Sequence, residues 1–445
     1  MKKKASLRQH LFTATTLGAL AGLGLGQAAH ASGFGLREGS ADWLGNAFAG
    51  SEAKAYDAST SWTNPAGMAL LDQSELDGNV SYISPSATFS GYNTDPLTGG
   101  NVRGSQGGNA VTPAASGALF GVFALAPNWR LGFSVTNPYG ERTSYPSNFV
   151  GRYQSLVSSI TGIDFGVALS YKFNNHLSVG GGPVFEYFNA RLTQALNVPV
   201  LSAATGQDPT GDVHGSNVGV GYNLGVLYRF DDATRIGIDY HSRIRHDING
   251  TQHIDVPAIY SALSPATAAL LNEGNSSATT TITMPDSVGM GIYHQINSAW
   301  AVMASLEWTH WALLNSLHVT PTNGFPGTVI YENWRNTWFA GVGTNYQLTD
   351  RIMLQAGFAF DESPVTASNR TSRVPDANHY DLGVGMQYKI TPAATFEFAY
   401  GHVFTPGGSI NSTAASTSTL TPSGALVGNY SASDNSLTAG VTMKF

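Results

Sequence analysis

Apolar side chains alternate with small or polar ones along much of this chain, and the pattern is clearest at the C-terminus. There Leu437, Ala439, Val441, Met443 and Phe445 alternate with Thr438, Gly440, Thr442 and Lys444. Because successive side chains of a β-strand point to opposite faces, this alternation predicts a strand with one apolar face. The pattern recurs at 163–173, 218–230, 380–390 and 396–404, so the sequence predicts an all-β fold.

The composition indicates that the apolar faces contact lipid. Only 11% of the residues are charged, against about 25% in soluble domains, and a soluble β-sandwich would need more charge on its outer faces. Beyond residue 31 no apolar stretch reaches the roughly 20 residues that a transmembrane helix needs. A transmembrane β-barrel fits both observations, because each of its strands is apolar on only one face.

The number and spacing of the predicted strands favour a closed barrel. Fourteen segments fit the pattern, near 76–90, 115–125, 129–137, 161–173, 177–190, 216–230, 234–246, 280–296, 300–310, 334–348, 351–361, 378–390, 394–404 and 434–445. Tight turns, such as Pro127-Asn128, alternate with long segments, such as 247–279. Even strand numbers, short periplasmic turns and long external loops are typical of outer-membrane barrels. We therefore predict a 14-stranded antiparallel transmembrane β-barrel over residues 76–445.

The first 31 residues have the features of a secretory signal peptide. Three lysines and Arg8 precede an apolar stretch at 11–26, and Ala29-His30-Ala31 fits a cleavage site. The terminal Phe445 is typical of barrels that the bacterial assembly machinery delivers to the outer membrane, so we expect that location and that partner. The chain has no Cys and a net charge of −7, which argue against thiol chemistry and against nucleic acid as a partner. We expect no cofactor and no metal.

Residues 32–75 precede the first predicted strand and do not alternate. They carry several glycines, the sequence Asn64-Pro65-Ala66-Gly67 and many apolar side chains. A ring of 14 strands encloses a lumen wide enough to leak unless it is filled. We therefore predict an N-terminal plug inside the barrel and assign plug or gating roles to Asn64, Pro65 and Ala66. The alternative, a disordered periplasmic tail, would leave the apolar residues in water.

Several short blocks carry a family resemblance over essentially the whole mature chain. They are Ser32-Gly33-Phe34, the segment 61–67, Gly151-Arg152-Tyr153-Gln154, the segment 175–180, Met284-Pro285-Asp286-Ser287, the segment 332–338, the segment 360–365 and Arg373-Val374-Pro375-Asp376. In this order they resemble the FadL-type family of outer-membrane long-chain fatty acid transporters. The resemblance implies a 14-stranded barrel, an N-terminal plug and passive uptake of hydrophobic molecules.

The resemblance also implies a route with an external apolar groove, an internal pocket against the plug and a lateral gap in the wall. Fatty acids are the expected substrates, and aromatic hydrocarbons, which similar family members take, are the alternative. A general porin would line its lumen with charged residues, whereas the predicted inward positions here are rich in small residues. An outer-membrane lipase would need a nucleophilic Ser with a His base, and no G-x-S-x-G elbow is present. We expect no enzymatic activity.

The predicted groove lies in the long loop 247–279, which is unusually apolar and includes Ile259, Tyr260 and Leu263. Exposed apolar patches mark binding sites, and we assign Leu196 to the opposing wall. The alternative is a loop that only packs on its neighbours. Residues 258–271 are expected to be partly helical despite a proline at 265. We assign Phe34, at the start of the plug, to ligand binding.

Two arginines and one proline-glycine segment complete the predicted site. Arg335 falls where the family places a basic pocket residue, and Arg191 is a looser match; either would meet a substrate carboxylate, or else form a structural ion pair. Asn137, Pro138 and Gly140 would kink the third strand and open a lateral portal, unless the strand simply ends there. Further expected partners are lipopolysaccharide and outer-membrane lipids, around a monomeric barrel.

Overall fold

The computed structural model describes residues 32–95, 98–412, 416–417 and 423–445, so the predicted signal peptide lies outside the described residues. The fold is a 14-stranded antiparallel β-barrel, as predicted. Its strands are β1 (Glu75–Thr94), β2 (Ala114–Ala126), β3 (Trp129–Ser144), β4 (Val157–Lys172), β5 (Leu177–Ala195), β6 (Thr210–Arg229), β7 (Thr234–His241 and Ile244–Asp255), β8 (Ser276–Met284 and Ser287–Gln295), β9 (Trp300–Thr309), β10 (Thr337–Gln347), β11 (Ile352–Asp361), β12 (His379–Thr391), β13 (Ala394–Ser412) and β14 (Ala425–Lys444). Each strand pairs with its neighbours in sequence, and β1 closes the ring on β14.

Several strands extend farther on the loop side than the sequence predicted. The structure continues β3 to Ser144, β5 to Ala195 and β13 to Ser412, through segments that we had predicted as loops. These extensions are polar or mixed on both faces, because they project beyond the apolar band of the membrane. The alternation of apolar residues therefore located the part of each strand that faces lipid, but not its external continuation.

The outer face of the barrel is apolar over the predicted band. Val218, Val220, Tyr222, Leu224, Val226 and Tyr228 are all exposed along β6, and so is Phe230 directly after it, in agreement with the predicted alternation. Aromatic pairs lie beside the short turns, where Trp129 contacts Tyr171 with ring centroids 4.7 Å apart. Interfacial aromatic residues of this kind are typical of membrane proteins. The terminal Phe445 is exposed and lies near Phe123; its recognition by the assembly machinery stays a prediction.

Short helices lie in the loops and before the barrel. The N-terminal segment holds α1 (Ala41–Leu44), α2 (Ser51–Lys54), α3 (Thr60–Thr63) and a 3-10 helix (Pro65–Leu70). The loops hold α4 (Pro199–Thr205), α5 (Ala258–Leu263), α6 (Pro265–Asn272) and a 3-10 helix (Trp311–Leu313), with short strands at Ser316–Pro321, Thr328–Tyr331 and Ser416–Thr417. Pro265 stands in the first turn of α6, where a missing N–H costs nothing. Among the described residues no helix is long and apolar enough to cross a membrane.

The N-terminal segment lies inside the barrel as a compact plug. Its centre is a buried ion pair between Lys54 Nζ and Asp42 Oδ2, 2.8 Å apart. Gln355 and Gln387, on the barrel wall, both donate side-chain hydrogen bonds to Asp42 Oδ1, at 2.8 and 3.0 Å. Because a buried charge is costly unless it is paired and hydrogen-bonded, these contacts fix the plug to the wall.

The predicted plug motif at 64–67 forms one of these attachments. Asn64 Oδ1 accepts a hydrogen bond from the backbone N–H of Ala66, which caps the 3-10 helix that Pro65 begins. Asn64 Nδ2 donates to the backbone carbonyls of Glu52 in the plug and Val226 in β6, at 2.7 and 3.1 Å. The motif therefore joins two parts of the plug to the wall, while a role in gating stays a prediction.

Glycines on the inner wall let the plug backbone approach closely. A Cβ atom on Gly357 would collide with the backbone carbonyl of Asn46, and one on Gly237 would collide with that of Glu52. These positions face inward on β11 and β7, so the small residues of the inward pattern provide the space that the plug occupies. Such contact with backbone atoms cannot be relieved by moving a flexible side chain.

We predict that Gly357→Val displaces the plug and raises ion conductance several-fold, because the added methyl groups occupy the place of the Asn46 backbone. Conductance is measured in planar bilayers, and heat-resistant migration in gels verifies that the barrel is folded. The matched control is Ala356→Val, which adds two methyl groups to the neighbouring, lipid-facing position. Equal conductance of the two folded variants would contradict the role of this contact in holding the plug.

Candidate functional site

Two connected apolar cavities lie above the plug, towards the long loops. The larger, here the outer cavity, has a volume of about 170 Å³ and is lined mainly by apolar side chains, among them Phe188, Ile248, Leu314 and Val374. The smaller, here the entrance cavity, has a volume of about 70 Å³ and includes Leu196, Leu271 and Phe325. The two cavities share the lining residues Leu192, Val213, Val319, Ile330 and Arg373, so they form one path from the loops into the barrel.

The helical loops form the outer rim of this path. Leu196 packs in one apolar cluster with Ile254, Tyr260 and Leu271. The Tyr260 side chain is fully buried there, and its hydroxyl donates to the backbone carbonyl of Gln207 at 3.0 Å. Ile259 and Leu263, in contrast, are exposed on α5. The predicted groove residues therefore divide: Leu196 lines the entrance cavity, Tyr260 supports it from behind, and the other two offer an external apolar surface.

Four aromatic side chains separate the outer cavity from a second chamber below. Phe34 of the plug lies 5.1 Å from Trp311, 5.4 Å from Trp334 and 6.0 Å from Tyr139, measured between ring centroids. Phe34 and Trp334 line the outer cavity, while Tyr139 and Trp311 line the chamber beneath it. Phe34, which we predicted to contact ligand, is thus part of the barrier between two cavities.

The chamber beneath, here the inner cavity, has a volume of about 170 Å³ and a different character. Its lining includes the carboxyl side chains of Glu52, Asp164, Glu186, Asp239 and Glu307, together with Arg37 and His241. Arg37 is already engaged, because its guanidinium lies 3.0 Å from Glu307 and 3.4 Å from Asp361. The route through the barrel therefore passes from an apolar cavity to an acidic one.

The wall of the inner cavity contains a break at the predicted portal. Pairing between β2 and β3 ends at Leu119 and Val135, and pairing between β3 and β4 shifts between Thr136 and Tyr139. The plug occupies part of this break, since Leu36 donates its N–H to the carbonyl of Pro138 at 2.8 Å. The strand does not end at Asn137 but continues beyond Gly140 to Ser144. The segment thus lies at an interruption of the wall, and its use as a portal stays a prediction.

Neither of the two arginines that we predicted to bind a substrate carboxylate, Arg335 and Arg191, lines any of these three cavities. Arg335 is 46% exposed and lies 3.0 Å from Glu362, and it also donates to the backbone carbonyl of Ser363. Arg191 is 55% exposed and lies 2.6 Å from Asp212. Both geometries are those of the structural ion pair that we gave as the alternative, and ligand binding by either residue stays a prediction.

A different arginine lines the outer and entrance cavities. Arg373 is buried and donates hydrogen bonds to Ser158 Oγ at 3.2 Å and to Gln194 Oε1 at 2.7 Å. Burial, only partly offset by the nearby Glu332 carboxyl, lowers the pKa of Arg373 to about 10. The guanidinium is therefore charged at neutral pH. The sequence contained a signal for this residue, because Arg373 lies in one of the family-like blocks. Its depth inside the barrel could not be read from that block.

The fold and these cavities define a class of protein, an outer-membrane β-barrel channel with an internal plug and an apolar ligand path. A family model described as "Outer membrane protein transport protein (OMPP1/FadL/TodX)" matches residues 22–445. The chain belongs to this family of outer-membrane transporters for hydrophobic compounds. It is a transport protein and not an enzyme.

Individual relatives agree with this assignment. The chain is 25% identical over 417 residues to the long-chain fatty acid transport protein of Escherichia coli strain K12, covering 88% of this chain and 92% of the relative. A FadL homologue from Pseudomonas aeruginosa superposes with a TM-score of 0.85 at 23% identity, covering 93% and 100% of the two chains. The toluene transporter TodX of Pseudomonas putida superposes with a TM-score of 0.62 at 16% identity, with coverages of 93% and 100%.

Proposed function

We propose that the protein takes up long-chain fatty acids by passive diffusion across the outer membrane. The substrate first contacts the exposed apolar surface of α4 to α6, then enters the entrance and outer cavities. It passes the aromatic barrier into the inner cavity and leaves through the break between β2 and β3. The single observation that carries this proposal is the buried Arg373 at the junction of two apolar cavities.

The chemistry of a fatty acid matches that junction. Its hydrocarbon tail gains free energy from apolar surfaces such as those of Phe188 and Leu314. Its carboxylate loses hydration on entering the barrel, which is costly unless a cation meets it. An arginine can meet a carboxylate with two parallel hydrogen bonds. The name of the E. coli relative, a long-chain fatty acid transport protein, supports the same substrate.

The second candidate function is uptake of single-ring aromatic hydrocarbons. The outer cavity, of about 170 Å³, is close in volume to an engineered cavity of about 150 Å³ that binds benzene in another protein. TodX, which shares the fold, is named as a toluene transporter. A neutral ring would have no use for Arg373, so the two substrates predict different responses to its removal.

We predict that Arg373→Gln weakens oleate binding by roughly 1.5–3 kcal/mol, the range for a hydrogen bond to a charged group. Binding of oleyl alcohol, which has the same tail and no charge, should change little. The measurement is a paired titration of both ligands on the purified wild type and the variant. Equal and small losses for the two ligands would contradict the carboxylate role and favour the aromatic substrate.

The matched control for this titration is Arg335→Gln, which removes an arginine from the exposed pair with Glu362. The same titration tests the assignment that the family resemblance implied for Arg335. A loss of oleate binding in this variant alone would assign the carboxylate to Arg335 and overturn the role proposed for Arg373.

The proposed exit can be closed by a reversible cross-link. Ser116 Oγ on β2 lies 3.3 Å from Asn137 Oδ1 on β3, across the interrupted pairing. The chain has no Cys, so Ser116→Cys with Asn137→Cys introduces one defined pair. We predict that oxidation stops uptake of radiolabelled oleate by whole cells and that reduction restores it. The Ser116→Cys single variant is the control, and full uptake by the oxidised double variant would contradict an exit here.

A further inference from the structure

The acidic lining of the inner cavity is not explained by fatty acid uptake. The passage of a carboxylate through this chamber gives no reason for such a lining, in which five carboxyl side chains accompany one arginine and one histidine. The arginine is held by Glu307 and Asp361. The histidine, His241, lies 3.3 Å from one oxygen of Asp239. The remaining acidic groups therefore have little positive charge from the protein itself.

Three buried carboxyl oxygens in this lining have no hydrogen-bond donor other than a neighbouring carboxyl group within the part of the chain that the structure describes. They are Asp164 Oδ1, Glu186 Oε2 and Asp239 Oδ1. Their side chains are 2%, 0% and 5% exposed, respectively. Buried polar atoms are nearly always satisfied, and each exception requires an explanation. A ligand that donates hydrogen bonds would supply the missing partners.

The arrangement of the acids favours a positively charged ligand. Asp164 on β4 and Glu186 on β5 lie directly opposite each other in the strand register. Like charges in that position repel each other. The basic neighbours are two histidines, His246 at 2.7 Å from Glu186 and His241 beside Asp239. Among the described residues no three acidic or histidine side chains are grouped as a metal site, so the geometry does not favour a metal ion.

Aromatic rings complete the lining. Trp62, Tyr139 and Trp311 border the same cavity as the three carboxyl groups. The faces of such rings attract organic cations, and aromatic cages are a common way to bind substituted ammonium groups. A cavity of about 170 Å³ has room for such a head group with an attached ring or a few carbons.

We propose that the inner cavity is a binding site for the ammonium group of hydrophobic amines. The amine donates hydrogen bonds to the carboxyl groups of Asp164, Glu186 and Asp239, while its carbon skeleton contacts the aromatic rings. The site is separated from the outer cavity by the aromatic barrier, and it extends the proposed function to apolar molecules with a cationic head.

The test compares three probes of similar size and different charge: benzylamine, benzyl alcohol and benzoate. Binding is measured by calorimetry on the purified full-length protein, and the position of benzylamine is established by crystallography. We expect benzylamine to bind in the inner cavity at least about tenfold more tightly than benzyl alcohol, and benzoate to bind least. Equal binding of the amine and the alcohol, or tighter binding of benzoate, would overturn the proposal without any variant.

The variants Asp164→Asn and Asp239→Asn test the residues. Each keeps the shape of the side chain and removes a negative charge, and Asp164→Asn also relieves repulsion from Glu186. We expect each variant to bind benzylamine about tenfold more weakly than the wild type, while the affinity for benzyl alcohol changes less than twofold. Asp350→Asn, in an exposed turn, is the matched control. If both cavity variants form heat-resistant barrels and bind benzylamine as tightly as the wild type does, the proposed amine site is wrong.

This outcome is distinguishable from a failure of the proposed fatty acid function. Oleate binding is titrated on the same preparations, and it reports the outer cavity through Arg373. Loss of the amine preference with normal oleate binding contradicts the amine site alone. Absence of oleate binding with an intact amine preference contradicts the fatty acid function alone.

Discussion

The contact between the plug backbone and the glycine-bearing wall is the constraint on which the rest of the structure depends. A 14-stranded ring would enclose an open lumen, and the plug fills it only because wall positions such as Gly357 and Gly237 have no side chain. Asn64 and the buried pair of Lys54 and Asp42 then fix the orientation of the plug. With the plug in place, the lumen becomes a series of cavities instead of a water-filled pore.

The plug also creates the functional geometry. Phe34 reaches the aromatic barrier, Leu36 hydrogen-bonds to β3 at the break in the wall, and Arg37 engages two acids of the lumen. Three features of the route thus depend on three residues of one short segment. A movement of this segment would therefore change the barrier and the wall together.

The sequence predicted the barrel because its evidence is periodic and local. Alternation over segments such as 218–230 defines a lipid-facing strand, and the number of such segments defines the ring. The plug was predictable for a similar reason, since the many apolar residues before the first strand could not remain in water. The external ends of β3, β5 and β13 were not predictable, because beyond the membrane no single face must be apolar.

The site was less predictable, since it depends on depth and on contacts between distant segments. Arg335 and Arg373 lie in two family-like blocks and look alike in sequence, yet one pairs with Glu362 at the surface and the other is buried between two cavities. Likewise, Asp164, Glu186 and Asp239 occupy inward positions on three different strands. Only the register of the barrel brings them to one chamber.

Transport through the buried cavities is tested most directly by a crystal structure with a fatty acid that carries bromine at the end of its tail. We expect anomalous signal from bromine along the apolar path and a carboxylate within hydrogen-bond distance of the Arg373 guanidinium. Bromine found only on the exposed surface of α5 and α6, or a carboxylate held by Arg335, would contradict passage of the substrate through the buried cavities.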